Sequence, residues 1–153
     1  MRYNIPGQEP FDIDTLILDL NGTLSVGGVI PEGVKQRLDV VQRLGFKAVL
    51  FTGNTRNNAD ELASELGIDW KLAKTTEDKR DLALEIGADT CASIGNGLID
   101  VELTKAVRLG IVTLQAEGVH TQTLLAADIV VPTVNDALEL FIGTSRLTAT
   151  MRR

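Results

Sequence analysis

The sequence predicts a doubly wound α/β fold, one mostly parallel sheet with helices on both faces. Two observations carry this. Four segments close on an apolar residue and then glycine, at Leu44-Gly45, Leu66-Gly67, Ile86-Gly87 and Leu109-Gly110, roughly twenty residues apart. Each follows a helix-like pattern, and each glycine suits the left-handed residue that ends a helix. A short apolar stretch then follows each glycine, at 47–51, 70–72, 90–94 and 111–114. These are strand length and apolar on both faces, as parallel strands covered by helices are. Strands and helices alternating at this spacing imply right-handed βαβ units.

The elements follow in order. Tyr3-Asn4-Ile5 and Phe11-Asp12-Ile13 flank Pro6-Gly7-Gln8-Glu9-Pro10, which predicts a small edge hairpin over 1–14. The first core strand is the apolar run that ends in Asp19. The first helix carries Val34, Leu38, Val41 and Leu44 at helical spacing, with Pro31 near its first turn. The second, predicted over 55–66, carries Ala59, Leu62, Ala63 and Leu66. The third carries Lys79, Leu82, Ala83 and Ile86; Thr75-Thr76 precede it, with Asp78 as a capping-box partner. The fourth carries Leu103, Ala106 and Val107. Residues 129–131 form a last strand, 134–141 a last helix and 143–153 a tail. Without linker or low-complexity tract, the chain is expected to form a single domain over 1–153 with its core at 15–142.

Composition narrows the function. The 153 residues suit one domain, and a net charge of -6 argues against nucleic acid or an anionic membrane as partner. No apolar run approaches a membrane span, and no signal peptide opens the chain. Cys91 is the single cysteine, so an internal disulfide is excluded and a cytoplasmic setting is expected. Cys91 itself is expected to be a small buried hydrophobe. His120 is the single histidine, which disfavours a His-rich zinc site or a Ser-His-Asp triad. It is expected in a polar surface loop.

In an open parallel sheet, ligands bind beyond the carboxyl ends of the strands. Those ends carry Asp19, then Thr52-Gly53-Asn54, then Gly95-Asn96-Gly97 with Asp100 one helical turn later, and Lys79 stands in the first turn of the third helix. Read singly, each has a plainer alternative. Asp19 suits a turn, Thr52 and Asp100 suit helix caps, and Lys74 competes with Lys79 for the place near a strand end.

Taken together, DLNGTL, the Thr of VLFTGN, Lys79 and GNGLID in that order resemble the four motifs of the haloacid dehalogenase (HAD) superfamily. The resemblance runs from the first core strand to the last helix. The stretch SIGNGLIDVELTKAVRLGIVTL also resembles the hinge motif of the P-type ATPase phosphorylation domain. The whole is similar to small soluble P-type ATPase-like members that carry NGT and GNG and end in an RLxATxRR tail. The resemblance implies a phosphohydrolase that forms an aspartyl-phosphate, with Asp19 as nucleophile. It implies that Thr52, Lys79 and backbone N–H groups at Gly22 and Gly53 hold the phosphoryl oxygens. It implies Mg²⁺ at the Asp19 carboxylate, the Asn21 carbonyl and the side chains of Asn96 or Asp100. The substrate would be a phosphorylated small molecule or a phosphoprotein.

Two positions depart from that pattern. HAD phosphatases carry a second aspartate two residues after the nucleophile, for proton transfer to the leaving group and from water. Here Asn21 stands there, and an amide does neither. Asn96 stands where most relatives have a metal-binding aspartate. The expectation is a slow enzyme that favours acyl or anhydride phosphates, ATP among them. The alternative is a degenerate, regulatory or binding member of the same fold. A response-regulator receiver also uses Asp, Thr and Lys at strand tips, but its phosphorylated Asp lies on the third strand. Asn21-Gly22 and Asn96-Gly97 are both dipeptides prone to deamidation, which would place an acid at both positions. Neither 23–31 nor 52–79 has room for a cap domain. An open site is expected, covered by a second subunit or filled by a large substrate.

Overall fold

The computed structural model describes residues 1–115 and 117–153. Six parallel strands form the sheet: β3 (Thr15–Leu18), β4 (Lys47–Thr52), β5 (Asp69–Leu72), β6 (Cys91–Gly95), β7 (Leu109–Thr113) and β8 (Ile129–Val131). Their order across the sheet is β5-β4-β3-β6-β7-β8. The chain enters at the centre with β3, winds out to β5, and crosses back to β6 on the other side. β3 and β6 are therefore neighbours whose onward connections run in opposite directions, and the crevice above them is the place where such sheets bind ligands.

The strand period of two sends alternate side chains to opposite faces. Leu16 and Leu18 of β3, Leu50 of β4, and Ala92 and Ile94 of β6 face one core, built with α1 (Val34–Arg43), α2 (Ala59–Leu66) and α6 (Val134–Ile142). Ile17, Val49, Phe51 and Cys91 face a second, smaller core with α3 (Thr76–Ile86) and α4 (Val101–Ala106). Both faces are covered, as the uninterrupted apolar strands require.

Gly45, Gly67 and Gly87 take the left-handed conformation at the ends of their helices. Gly110 does not: it lies within β7, where a Cβ would stand 2.6 Å from Thr104 Cγ2 and 3.0 Å from Thr104 O. It is there so that α4 can lie close on the strand. The Thr75–Asp78 capping box forms as expected. The second helix begins at Ala59, later than the expected 55, because Asn54 and Asn57 turn left-handed, with φ of 52° and 51°.

The hairpin, β1 (Arg2–Tyr3) and β2 (Phe11–Asp12), is a separate two-stranded ribbon. Tyr3 stacks on Phe11, ring centroids 5.5 Å apart, and the Arg108 guanidinium lies 4.1 Å over Phe11. Two helices were not legible in the sequence. His120 accepts from Gln122 N as the cap of α5 (Thr121–Ala126), so it is an exposed cap on a helix, in a segment read as a loop. The tail contains α7 (Thr144–Met151), which buries Leu147. The Gln8 side chain donates to Met151 O, and Arg153 N donates to Pro6 O at 3.1 Å, tying this helix to the hairpin. Among the described residues no helix is long and apolar enough to cross a membrane.

Candidate active site

The pair of strands at the centre sets the site. Asp19 directly follows β3, and its N–H donates to Ile94 O of β6 at 2.9 Å, so the sheet register holds the residue at the crevice floor. Asn96 directly follows β6. Thr52 ends β4, and its hydroxyl accepts from Asn54 N at 3.1 Å, which leaves its own proton free to donate. These residues line a cavity of about 420 Å³ with Asn21, Gly53, Thr55, Lys74, Gly97 and Ile99.

Lys79 decides the electrostatics. It rises from the first turn of α3 and is fully buried, with Nζ 2.6 Å from Asp19 Oδ1 and 2.7 Å from Asp100 Oδ1. The sequence left Lys74 as a rival; Lys74 is exposed at the cavity rim and reaches neither carboxylate in the structure. Burial pushes the Asp19 carboxyl up to about 7, and the nearby Asp100 charge adds to it, while Lys79 pulls the other way. Burial disfavours the Lys79 charge, but Asp19 and Asp100 outweigh it and hold its pKa above the ordinary lysine range.

Asp100 is spent inside the protein. Oδ1 takes Lys79, and Oδ2 accepts from Asn96 N and Gly97 N at 3.0 Å each. It therefore shapes the Gly95-Asn96-Gly97 turn and anchors the lysine. The Asn96 amide is also engaged: Oδ1 accepts from Thr23 Oγ1 at 3.2 Å and Nδ2 donates to Gly118 O at 2.9 Å. Gly22, at φ 80°, packs directly on that amide. The Gly22 N–H donates to Ser25 O at 2.8 Å, so it faces its own turn and not the cavity.

The fit for a divalent cation rests on Asp19 and Asn21. Asn21 Oδ1 is buried and has no hydrogen-bond partner among the described residues, although the residue lines the cavity beside the Asp19 carboxylate. Among the described residues no three His, Cys, Asp or Glu side chains come together as a metal cage. One carboxylate and amide oxygens fit Mg²⁺, which keeps several waters and binds through one or two carboxylates plus substrate phosphate.

The two Asn-Gly turns are held. Deamidation needs the glycine nitrogen to reach the asparagine amide carbon; here Gly22 N is bonded to Ser25 O and Gly97 N to Asp100 Oδ2. No cap is inserted. Residues 23–31 make only a flap, where Val26 and Val29 exchange backbone bonds around Gly27-Gly28. Gly27 N donates to Glu117 Oε1 at 2.9 Å. Residues between β4 and α3 supply α2 and β5. One residue of the site that no sequence motif marks is Gln115, buried after β7, which donates to Thr23 O at 2.8 Å.

No family model matches the chain. An uncharacterized protein of Methanocaldococcus jannaschii is 47% identical over 60 residues, 39% of this chain and 64% of its own length. The potassium-transporting ATPase ATP-binding subunit of Deinococcus radiodurans is 28% identical over 95 residues, 60% of this chain and 14% of that protein. The chain thus spans just under two thirds of the first relative and about a seventh of the second. Among solved structures, the 3-deoxy-D-manno-octulosonate 8-phosphate phosphatase of Moraxella catarrhalis, in complex with magnesium, phosphate and KDO, superposes with a TM-score of 0.70. It is 22% identical and covers 92% of this chain and 94% of that one. A hydrolase assigned to HAD subfamily III A from Legionella pneumophila gives a TM-score of 0.74 at 20% identity, covering 90% and 86%. Sheet order and these likenesses agree on the fold: the chain has the architecture of these HAD-type hydrolase structures, with no inserted cap among the described residues, and part of it is similar in sequence to P-type ATPases.

Proposed function

We propose that the chain is a Mg²⁺-dependent phosphohydrolase that works through a phosphoaspartyl intermediate on Asp19. The observation that carries this is a near-buried carboxylate at the central strand tip, held by a buried lysine and open to a cavity. An Asp19 oxygen attacks phosphorus, and the bond to the leaving group breaks with its electron pair on that group. Water then releases phosphate and restores the carboxylate. Thr52 and the Gly53 N–H donate to the phosphoryl oxygens, and Lys79 offsets the negative charge that gathers at Asp19. Mg²⁺ held by Asp19 and Asn21 would supply further neutralisation of the phosphoryl charge.

Asn21 puts an amide, which does not protonate a leaving group, beside Asp19, and among the described lining residues Asp19 is the single carboxylic acid. The substrate class is therefore a phosphoryl group on a leaving group stable as an anion, such as an acyl phosphate or an anhydride like ATP. The missing cap leaves room for a small molecule, a phosphoprotein or a second copy of the chain over the site. A cytoplasmic setting fits a single buried cysteine.

The test is Mg²⁺-dependent phosphate release from acetyl phosphate, an aryl phosphate and ATP, with Asp19→Asn as control. Release that disappears in the control is expected. Release that survives in Asp19→Asn overturns the assignment of Asp19. The amide at Asn21 favours a second reading, a regulatory protein that binds phosphate-bearing ligands without turnover. It predicts no release from any substrate, with phosphate-mimic binding still lost in Asp19→Asn.

A further inference from the structure

We propose that Gln115 is a positioning residue that fixes the Asn21-Gly22-Thr23 turn against the rigid part of the fold; the proposal rests on Asp19 being the reacting group. The turn satisfies itself on one side. Thr23 N and Ser25 N donate to Leu20 O, Leu24 N donates to Asp19 O, and Gly22 N donates to Ser25 O. The carbonyls of Gly22 and Thr23 point away from these bonds into buried space. Gln115 meets both: Nε2 donates to Thr23 O at 2.8 Å and to Gly22 O at 3.4 Å. Its other end, Oε1, accepts from Val134 N at 2.5 Å.

Val134 is the first residue of α6, whose Val134, Ala137, Leu138 and Phe141 are fully buried. One side-chain amide therefore joins the nucleophile's turn to a helix locked in the core. Thr113 Oγ1 adds a long bond to Gly22 O at 3.5 Å. Only a primary amide serves both ends, because the turn needs a donor and the helix start needs an acceptor. Leucine in its place would leave buried backbone groups of both segments without a partner. Glutamate would set a carboxylate against two carbonyls.

The consequence is geometric. The orientation of the Gly22 and Thr23 peptides fixes where Asn21 stands beside Asp19, and a misplacement of about 1 Å in a catalytic group costs on the order of 10²-fold in rate. Gln115 is not among the residues that line the cavity around Asp19 and acts through the turn.

The experiment compares wild type, Gln115→Leu and Gln115→Glu by acetyl phosphate kinetics with Mg²⁺ and by amide hydrogen exchange. In Gln115→Leu, kcat is expected to fall by about 10- to 100-fold with KM within about threefold. Exchange at Thr23, Leu24 and Ser25 should accelerate while Leu16 to Leu18 stay protected. An unchanged kcat in an active enzyme overturns the proposal. So does exchange that rises equally through β3, since that signals general loosening. If wild type and Asp19→Asn are equally inactive, the hydrolase reading fails alone. The exchange of the three turn amides then decides, and no change in Gln115→Leu overturns the proposal. Should the leucine variant not fold, Gln115→Glu keeps the volume and is held to the same outcomes.

Discussion

Lys79 and Asp19 form a buried ion pair, Nζ to Oδ1 2.6 Å, and the same ammonium reaches Asp100 at 2.7 Å. One cation is thus shared between two carboxylates, and the trio keeps a net negative charge under the cavity. That imbalance suits a floor meant to receive a cation and a phosphoryl group, and it costs stability when neither is there.

Removing Lys79 leaves two carboxylates buried together. Lys79→Met is expected to destabilise the fold by about 3–5 kcal/mol, measured by urea unfolding. Asp19→Asn should act in the opposite direction, because it leaves one cation facing one carboxylate. Its unfolding midpoint in the presence of a chelator should lie above that of wild type. A lower midpoint would show that Asp19 stabilises the fold.

Asn21→Asp places a carboxylic acid able to transfer protons where the cavity has an amide. Hydrolysis of alkyl phosphates should rise by about 10²- to 10⁴-fold, with a smaller gain for acetyl phosphate, whose leaving group needs no proton. The ratio of kcat/KM between the two substrates is the readout. Wild type already turning over alkyl phosphates faster would remove the leaving-group argument.

The held Asn-Gly turns should resist deamidation. Intact-mass measurement of aged folded protein should find no conversion at Asn21 or Asn96, while the same protein aged in urea converts both. Conversion at equal rates in the two samples would mean that the bonds from Gly22 N and Gly97 N give no protection.

Alkaline unfolding offers a test at the other end of the molecule. Burial pushes the Cys91 thiol up from 9.0 to about 11 and the Tyr3 phenol up from 10.0 to about 12. The folded protein keeps both protons where the unfolded chain gives them up. The contribution of these two groups is therefore full below pH 9 and is lost as pH climbs from about 9 to about 12. The Tyr3 hydroxyl is buried without a partner among the described residues. Tyr3→Phe should cost nothing at pH 7 and should flatten the loss between about pH 10 and 12. A fall in melting temperature at pH 7 would reveal a partner for that hydroxyl.

Much of the site was legible in sequence because its residues sit at fixed places on a repeating βα unit. Asp19, Thr52 and Asn96 follow from where apolar runs stop. Their convergence follows from β4, β3 and β6 being parallel neighbours in register. Gly110 was misread as a helix end because a glycine after an apolar residue looks the same in sequence whether it supplies a left-handed turn or room for Thr104. α5 escaped notice because Thr121–Ala126 is short and partly exposed, with little apolar periodicity. Whether Asn96 and Asp100 face a metal or the protein could not be seen in sequence either. That depends on Thr23, Gly118 and Lys79, which are distant in the chain.

The sequence by itself determined the parallel sheet, both covered faces, the open site and the carboxylate at the central strand tip. These depend on local periodicity and on which residues end each strand. The tertiary structure alone decided that Lys79 and not Lys74 serves Asp19, that Gly22 N–H turns inward, and that Gln115 ties the turn to α6. Each of these is a bond between segments far apart in sequence, set by side-chain direction and packing, which no local pattern records.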